Sequence, residues 1–404
     1  MRILVLDGNQ NQAVASVRSL ARAGHKVSAG DSTSWSKAGL SRYAYQTFRY
    51  PAPSRSGEAF IQRIAELASN EAGTLVLPMT EATTLPISAH RDVLLAAGAR
   101  VVLPCHDNLL RAFDKNETTK LAASLGIAVP QTTLMFATDD PRPTAASIRY
   151  PVVLKPRSSG ELSDRGEIRT TGRPRYASNA MEFVRAYEEM SRRASTILVQ
   201  QYVEGEGTGY FALMRHGELR AEFAHRRIRD VYPTGSGSAM RVSVRPDPEI
   251  REAALAILQA LNWHGVAMVE FRRKEGQAPV FLEVNGRFWH SLPLACYAGM
   301  DFPALLAKMA ESGDVDAVLP YRIGVRCRWL LGDFRHLLEV WRGAPDGFPD
   351  PYPGRLHTAA AFFTPVSGTK HDLFTWDDPL PELGDWLNFV QSAWSRYGVS
   401  QRAA

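Results

Sequence analysis

Short apolar runs alternate with helix-spaced segments through the first hundred residues, and this alternation constrains the fold more than any other feature. Residues 3–6 form an apolar run, and residues 12–23 carry Ala13, Val14, Val17, Leu20 and Ala21 at helical spacing before stopping at Gly24. The pattern then predicts a strand at 26–29, a helix at 60–67, a strand at 74–77, a helical piece at 93–97 and a strand at 100–103. Strand–helix–strand succession of this kind packs as a parallel sheet with helices on both faces. The first turn reads Asp7-Gly8-Asn9-Gln10 and lacks G-x-G-x-x-G, so no dinucleotide site is expected there.

The rhythm changes further along. A helix is expected from about 108 to 125, closed by Gly126, with a turn at Val129-Pro130. There follow a strand at 152–156 interrupted by Lys155, a polar loop at 157–173, an amphipathic helix at 181–193 and a strand at 197–203. A helix at 248–261 precedes two strands at 266–271 and 280–284, which suggests an α+β region. With 404 residues, two or three domains are expected. Residues beyond about 320 are rich in Trp, Pro and Arg and read as an appended segment, either a packing cap or a dimer surface.

Composition narrows the class. Hydrophobic residues make up 45% and charged residues 22%, which excludes a mainly disordered chain. Cys105, Cys296 and Cys327 lie far apart with no metal-type spacing, and no apolar run reaches the roughly 18 residues of a spanning helix. The expectation is a cytoplasmic protein without a membrane partner. The net charge of +5 favours small anionic ligands, while the absence of a basic block argues against nucleic acid. There are eight lysines against 39 arginines, so each lysine in a motif carries weight.

The densest chemistry lies in Phe281-Leu282-Glu283-Val284-Asn285-Gly286-Arg287. On an extended strand Glu283, Asn285 and Arg287 share one face, with Leu282 and Val284 directed to the core. A carboxylate, an amide and a guanidinium together suit a hard cation and phosphate oxygens. Glu270 ends the preceding apolar strand. If the two strands form a hairpin, Glu270 and Glu283 sit side by side, an arrangement that repels unless cations bridge it. Read alone, the same residues also describe a solvated strand face with surface ion pairs.

Over about residues 105–320 the chain resembles the ATP-grasp superfamily. Asp114-Lys115 with the helix that follows, Lys155 on its strand, the run Leu198-Val199-Gln200-Gln201-Tyr202-Val203-Glu204-Gly205, Glu270, and Glu283-x-Asn285-x-Arg287 occur in the family's order. The resemblance implies a Rossmann-like N-terminal domain over 1–105 and an ATP-grasp unit over 106–320, with subdomains at about 106–193 and 194–320. A C-terminal extension over 321–404 would follow. It also implies site roles. Lys115 and Lys155 would meet nucleotide phosphates, the backbone around Gln201, Tyr202 and Val203 would hold the adenine edge, and Glu206 would take the ribose. Glu270, Glu283 and Asn285 would ligate Mg²⁺ or Mn²⁺, and Arg287 would stabilise the transferred phosphoryl group. Independently of the resemblance, the basic run 224–229 offers Arg226 or Arg227 as a contact for a γ-phosphate or a substrate carboxylate, or else is an exposed basic edge. The implied activity is ligation of a small carboxylate to an amine through an acylphosphate, driven by ATP, in a monomer or homodimer. Two alternatives stand beside it: a biotin carboxylase-like enzyme, and a nucleotide-binding scaffold, which the glycine-poor loop after Lys155 favours. Thr80, Glu81, His290 and Ser291 are candidate substrate contacts, and residues 234–238 are either a closing loop or a plain connection.

Overall fold

The computed structural model describes residues 1–400, except 159, 163–167, 171–173 and 319. Much of the loop expected after Lys155 therefore lies outside the described residues.

Four parallel strands open the chain, in the spatial order Gln46–Arg49, Lys26–Asp31, Arg2–Val5, Leu75–Leu77. Alternate residues of the first strand feed opposite layers. Ile3 and Val5 pack with Val14, Val17 and Leu20 of helix Asn11–Arg22, while Leu4 and Leu6 pack with Phe60, Ile64 and Leu67 of helix Gly57–Ser69. Burial on both faces explains why the strands Arg2–Val5 and Leu75–Leu77 read as apolar runs, whereas the edge strand Gln46–Arg49 is largely exposed and has none. The strand expected at 100–103 shrinks to a single bridge, Leu75 to Arg100. Beyond it the carbonyls of Leu103 and Pro104 accept from the Arg91 guanidinium, at 2.9 and 2.5 Å, instead of extending the ladder.

The helix expected at 108–125 is two helices, His106–Phe113 and Lys115–Ser124. Asp114 leaves helical geometry at ψ 104, and its carboxylate accepts from the backbone N–H groups of Asn116 at 2.9 Å and Glu117 at 3.2 Å. An aspartate cap of this kind starts a helix, so the chain restarts there and places Lys115 in the first turn.

A second, antiparallel sheet has the order Thr132–Phe136, Thr196–Gln201, Val152–Pro156, Arg175–Ala177. Helix Ala180–Ser191 covers it through Phe183 and Tyr187, against Met135, Leu154 and Ile197. The largest sheet has seven strands in the order Val280–Asn285, Gly265–Arg273, Glu206–Arg215, Glu218–Tyr232, Ser236–Val244, Arg326–Arg328, Lys370–His371. Helix Pro248–Ala260 and Trp263 fill one of its faces. The other face packs against helices Asn11–Arg22 and Leu292–Ala298.

Residues past 320 run into this largest sheet. They supply its last two strands, and buried ion pairs tie them back to earlier elements: Arg18 to Asp378 at 2.8 Å, Lys37 to Asp385 at 2.7 Å, and Arg241 to Asp372. Among the described residues no helix is long and apolar enough to cross a membrane.

Candidate active site

Strands Gly265–Arg273 and Val280–Asn285 pair antiparallel with Glu270 directly opposite Glu283. The hairpin expected from sequence thus forms, and its two acids face each other. A bulge falls between Glu270 and Phe271, so Phe271 pairs with Phe281 and Leu282 is the extra residue. Both phenylalanines turn into the core, whereas Leu282, expected there, lines the same cavity as Glu283. The bulge re-aims one side chain without losing the pairing around it. Gly286 is required by packing: a Cβ there would lie 2.5 Å from the Trp263 ring.

The polar groups after Glu283 form a chain. Asn285 Nδ2 donates to Glu283 Oε1 at 3.1 Å, and Arg287 donates to Asn285 Oδ1 at 2.9 Å. Lys115 Nζ stands 3.2 Å from Glu283 Oε2, and Arg227 reaches Glu270 Oε1 at 3.2 Å. Each acid of the pair therefore has its own cation. Arg157 braces the Lys115 segment, since its guanidinium meets Asp114 at 2.5 Å and its carbonyl accepts from the Lys115 N–H at 3.1 Å.

Charge separates the two acids. Burial pushes the Glu270 carboxyl up; Arg227 opposes this, and the Glu283 charge adds to it. Burial also acts against the Glu283 charge, but Lys115 and Lys155 outweigh it and hold that carboxyl at about 2. Burial disfavours the Lys115 charge as well, yet Glu283 and Glu81 keep its pKa above the ordinary lysine value. Lys155 makes no ion pair among the described residues, and burial lowers it to about 8 despite the pull of Glu283.

Two cavities of about 250 Å³ each share this pair of acids. The first lies between the antiparallel four-stranded sheet and the seven-stranded sheet and is lined by Lys115, Lys155, Tyr176, Gln201, Tyr202, Val203, Arg272 and Leu282 as well as the acids. The second is lined by His225, Arg227, Ser238, Asn285, Arg287, Trp289, His290 and Ser291. His225 Nε2 and Ser291 Oγ lie 2.8 Å apart. Burial drives His225 well below the ordinary histidine value, and it takes His290, which packs on Trp329 at 4.4 Å, to about 3. Both rings are neutral at physiological pH.

Most of the expected residues converge here, but Arg226, Glu206, Thr80 and Glu81 line neither cavity. Arg226 is exposed and lines neither cavity, while its neighbour Arg227 faces Glu270. Successive residues of a strand point to opposite faces, so only one of the two can enter. Glu206 is exposed at the start of its strand and also lines neither cavity. The Gln201 N–H already donates to the Gln131 carbonyl at 2.9 Å, and the Val203 carbonyl accepts from Arg272 at 2.9 Å. The segment 234–238 is a tight turn running into strand Ser236–Val244; Thr234 and Gly235 line the first cavity, and Gly235, Gly237 and Ser238 line the second. Thr80 precedes helix Glu81–Ala89, and Glu81 acts on Lys115 through its charge. Sequence reasoning missed Tyr176, Arg272 and Trp289. None stands in a recognisable motif: Tyr176 and Arg272 reach the first cavity through strand pairing, and Trp289 reaches the second from the segment after strand Val280–Asn285.

Among the described residues, no group of three or more His, Cys, Asp or Glu side chains gathers at one point. Two carboxylates and one amide suit Mg²⁺, which commonly takes one or two protein carboxylates and completes its shell with phosphate oxygens and water.

Comparison with known proteins agrees with this geometry. A family described as "ATP-grasp in the biosynthetic pathway with Ter operon" matches residues 193–332, which include both acids. A D-alanine–D-alanine ligase of Nitrosospira multiformis is 27% identical over 216 residues, covering 49% of this chain and 66% of that protein. The chain thus spans slightly under two thirds of that relative. In fold it is similar to the biotin carboxylase domain of a Hydrogenobacter thermophilus 2-oxoglutarate carboxylase, with a TM-score of 0.62 at 16% identity over 80% of this chain and 73% of that one. An L-amino acid ligase from Bacillus licheniformis gives a TM-score of 0.57 at 16% identity, over 77% and 73% of the two chains. Residues 193–332 thus match an ATP-grasp family, and over a wider span the chain is similar to the ligases and the carboxylase domain just named.

Proposed function

We propose that this chain is an ATP-dependent ligase that activates a small carboxylate as an acylphosphate and joins it to an amine, releasing ADP and phosphate. The observation that carries the reading is the register pairing of Glu270 with Glu283, with a lysine-lined cavity on one side and an arginine-lined cavity on the other. The first cavity takes the nucleotide and the second the acid. Relatives named as a D-alanine–D-alanine ligase and an L-amino acid ligase support the same reaction class. The layout that goes with it is a Rossmann-like unit over 1–105, a two-lobed ATP-grasp unit over 106–320 and an extension beyond.

Magnesium bound by Glu270, Glu283 and Asn285 would neutralise the terminal phosphates and orient them in line. The protein's own groups do the rest. Lys115 exchanges its Glu283 contact for phosphate oxygen, and Lys155 adds a second point charge. The backbone at Gln201 and Val203 meets the base edge, with Leu282 as an apolar wall. Arg287, at the end of the Glu283–Asn285 chain, faces the second cavity and stabilises charge on the phosphoryl group as it passes to the carboxylate. Arg227 orients Glu270 and adds positive potential for an anionic substrate. The carboxylate oxygen bonds to phosphorus as the ADP oxygen leaves. The amine nitrogen then attacks the acyl carbon, phosphate departs and the ammonium proton goes to solvent. No enzyme nucleophile is needed.

A screen of carboxylate and amine pools, read as phosphate release, tests this. The expected result is release that needs both Mg-ATP and at least one acid. Binding of ATP with no release from any pool would leave a nucleotide-binding scaffold instead.

The depressed Lys155 pKa gives a second test. Below about 8 the free protein already carries this charge, so affinity for Mg-ATP is level with pH. Above that value binding must take up a proton, and affinity falls by up to about tenfold per pH unit. Calorimetry in buffers of different ionisation enthalpy reads the uptake directly. Level affinity with no proton uptake through this range contradicts the placement of Lys155 at the phosphates.

A further inference from the structure

Residues 343–354 leave helix Leu330–Arg342 and cross from the largest sheet to the antiparallel four-stranded sheet, outside the span of the family match. The helix is anchored on the largest sheet. Asp333 takes the Arg229 guanidinium through two bonds of 2.7 Å, and His336 Nδ1 meets the Asp230 carbonyl at 2.6 Å. At the far end, Gly347 lies flat against strand Arg175–Ala177. It has φ +72, and a Cβ there would stand 2.6 Å from the Tyr176 carbonyl oxygen and 2.8 Å from Glu182 Oε2. Ser178 Oγ donates to the Gly347 carbonyl at 3.0 Å. Phe348 then sets its ring edge-on to Tyr176 at 5.1 Å and to Tyr202 at 6.3 Å, while the two tyrosines meet each other at 6.0 Å. The Tyr202 hydroxyl donates to Asp350.

Tyr176 and Tyr202 are walls of the first cavity, beside Gln201 and Val203. Arg272 completes the layer, with its guanidinium 5.2 Å over the Tyr202 ring and one N–H donating to the Val203 carbonyl at 2.9 Å. A continuous set of contacts therefore runs from Phe348 and Asp350, through two tyrosines and an arginine, to the backbone that faces the nucleotide base. None of these contacts reaches Lys115, Lys155 or the acidic pair.

We propose that residues 345–350 are a clamp on the base end of the nucleotide cavity, with Phe348 and Asp350 as positioning residues that set affinity for the nucleoside part of the nucleotide. The proposal rests on the nucleotide reading given above. It assigns the C-terminal segment a part in binding in addition to closing the core. Edge-to-face rings fix each other's orientation at little entropic cost, because each aromatic side chain has only two rotatable bonds to freeze. Losing the central ring frees both tyrosines together.

The test compares two probes, Mg-ATP and Mg-tripolyphosphate, by calorimetry on the full chain. Phe348→Ala is expected to weaken Mg-ATP by about tenfold and to leave tripolyphosphate unchanged, since the phosphate-binding lysines are untouched. Phe348→Tyr keeps the ring and restores Mg-ATP binding to within about twofold of the parent. Asp350→Asn, which keeps the shape and removes the charge, weakens Mg-ATP alone. Unchanged Mg-ATP affinity in Phe348→Ala overturns the proposal, and so does an equal loss for both probes, which marks general loosening. Failure of the parent protein to bind Mg-ATP at all overturns the nucleotide reading itself, and the two failures are thereby distinct.

Discussion

Glu283→Gln is expected to cut Mg-ATP-dependent phosphate release by about a thousandfold while leaving the fold intact. The substitution keeps the volume of the side chain and removes its charge. That charge is held firmly in the parent protein: the carboxyl sits at about 2, because Lys115 and Lys155 outweigh the cost of burying it. Without it, the proposed magnesium site would keep one protein carboxylate instead of two, and Lys115 loses its partner at 3.2 Å. Glu270 is relieved of a like charge directly opposite, so its own carboxyl comes down. Melting temperature should therefore hold or rise slightly as turnover collapses. Phosphate release within tenfold of the parent would show that the pair is an ordinary strand ion-pair cluster.

Asp372→Ala should have the largest effect on stability, a loss of about 3–5 kcal/mol in chemical denaturation. Asp372 and Arg241 form a fully buried pair, and Asp372 also accepts from Cys327 Sγ at 3.0 Å and Asn11 Nδ2 at 3.2 Å. Arg241 holds that carboxyl below its ordinary value against burial, and the carboxylate in turn keeps the guanidinium charged. Removing the acid strands a guanidinium with no water to receive it. The contacts run between strand Ser236–Val244, the N-terminal helix Asn11–Arg22 and the segment next to strand Lys370–His371, so the loss is felt across the molecule. Glu204→Gln, at an exposed pair with Lys274, should leave stability unchanged. A loss below about 1 kcal/mol for Asp372→Ala would mean that the C-terminal segment is dispensable to the core.

What could be read in the sequence followed local chemistry. The alternation of the first hundred residues showed because buried parallel strands are apolar, and the acidic hairpin showed because Glu270 and Glu283 each end or interrupt an apolar run. Lys155 stood out for the same reason. The three long strands between Glu206 and Val244 were not legible. Their charged residues have partners far off in sequence: Arg227 reaches Glu270, and Arg229 reaches Asp333. A strand whose charges are neutralised by distant elements looks like a polar loop until the partners are known. The break at Asp114 had a visible sign, an acid capable of capping, but it was hidden inside a longer apolar period. Leu282 was misplaced because strict alternation takes no account of a bulge. Residues past 320 carry no motif, and their role in the sheet and at Tyr176 and Tyr202 arises from tertiary packing alone.

Oxygen tracing tests the central claim most directly. An acid identified by the phosphate-release screen is prepared with ¹⁸O at both carboxylate oxygens and turned over with Mg-ATP and the amine, and the released phosphate is examined by ³¹P NMR. Transfer of the phosphoryl group onto the carboxylate predicts one ¹⁸O in every phosphate released. Phosphate free of label would show that the group went to water, and the two cavities around Glu270 and Glu283 would then not be a site that joins acid to amine.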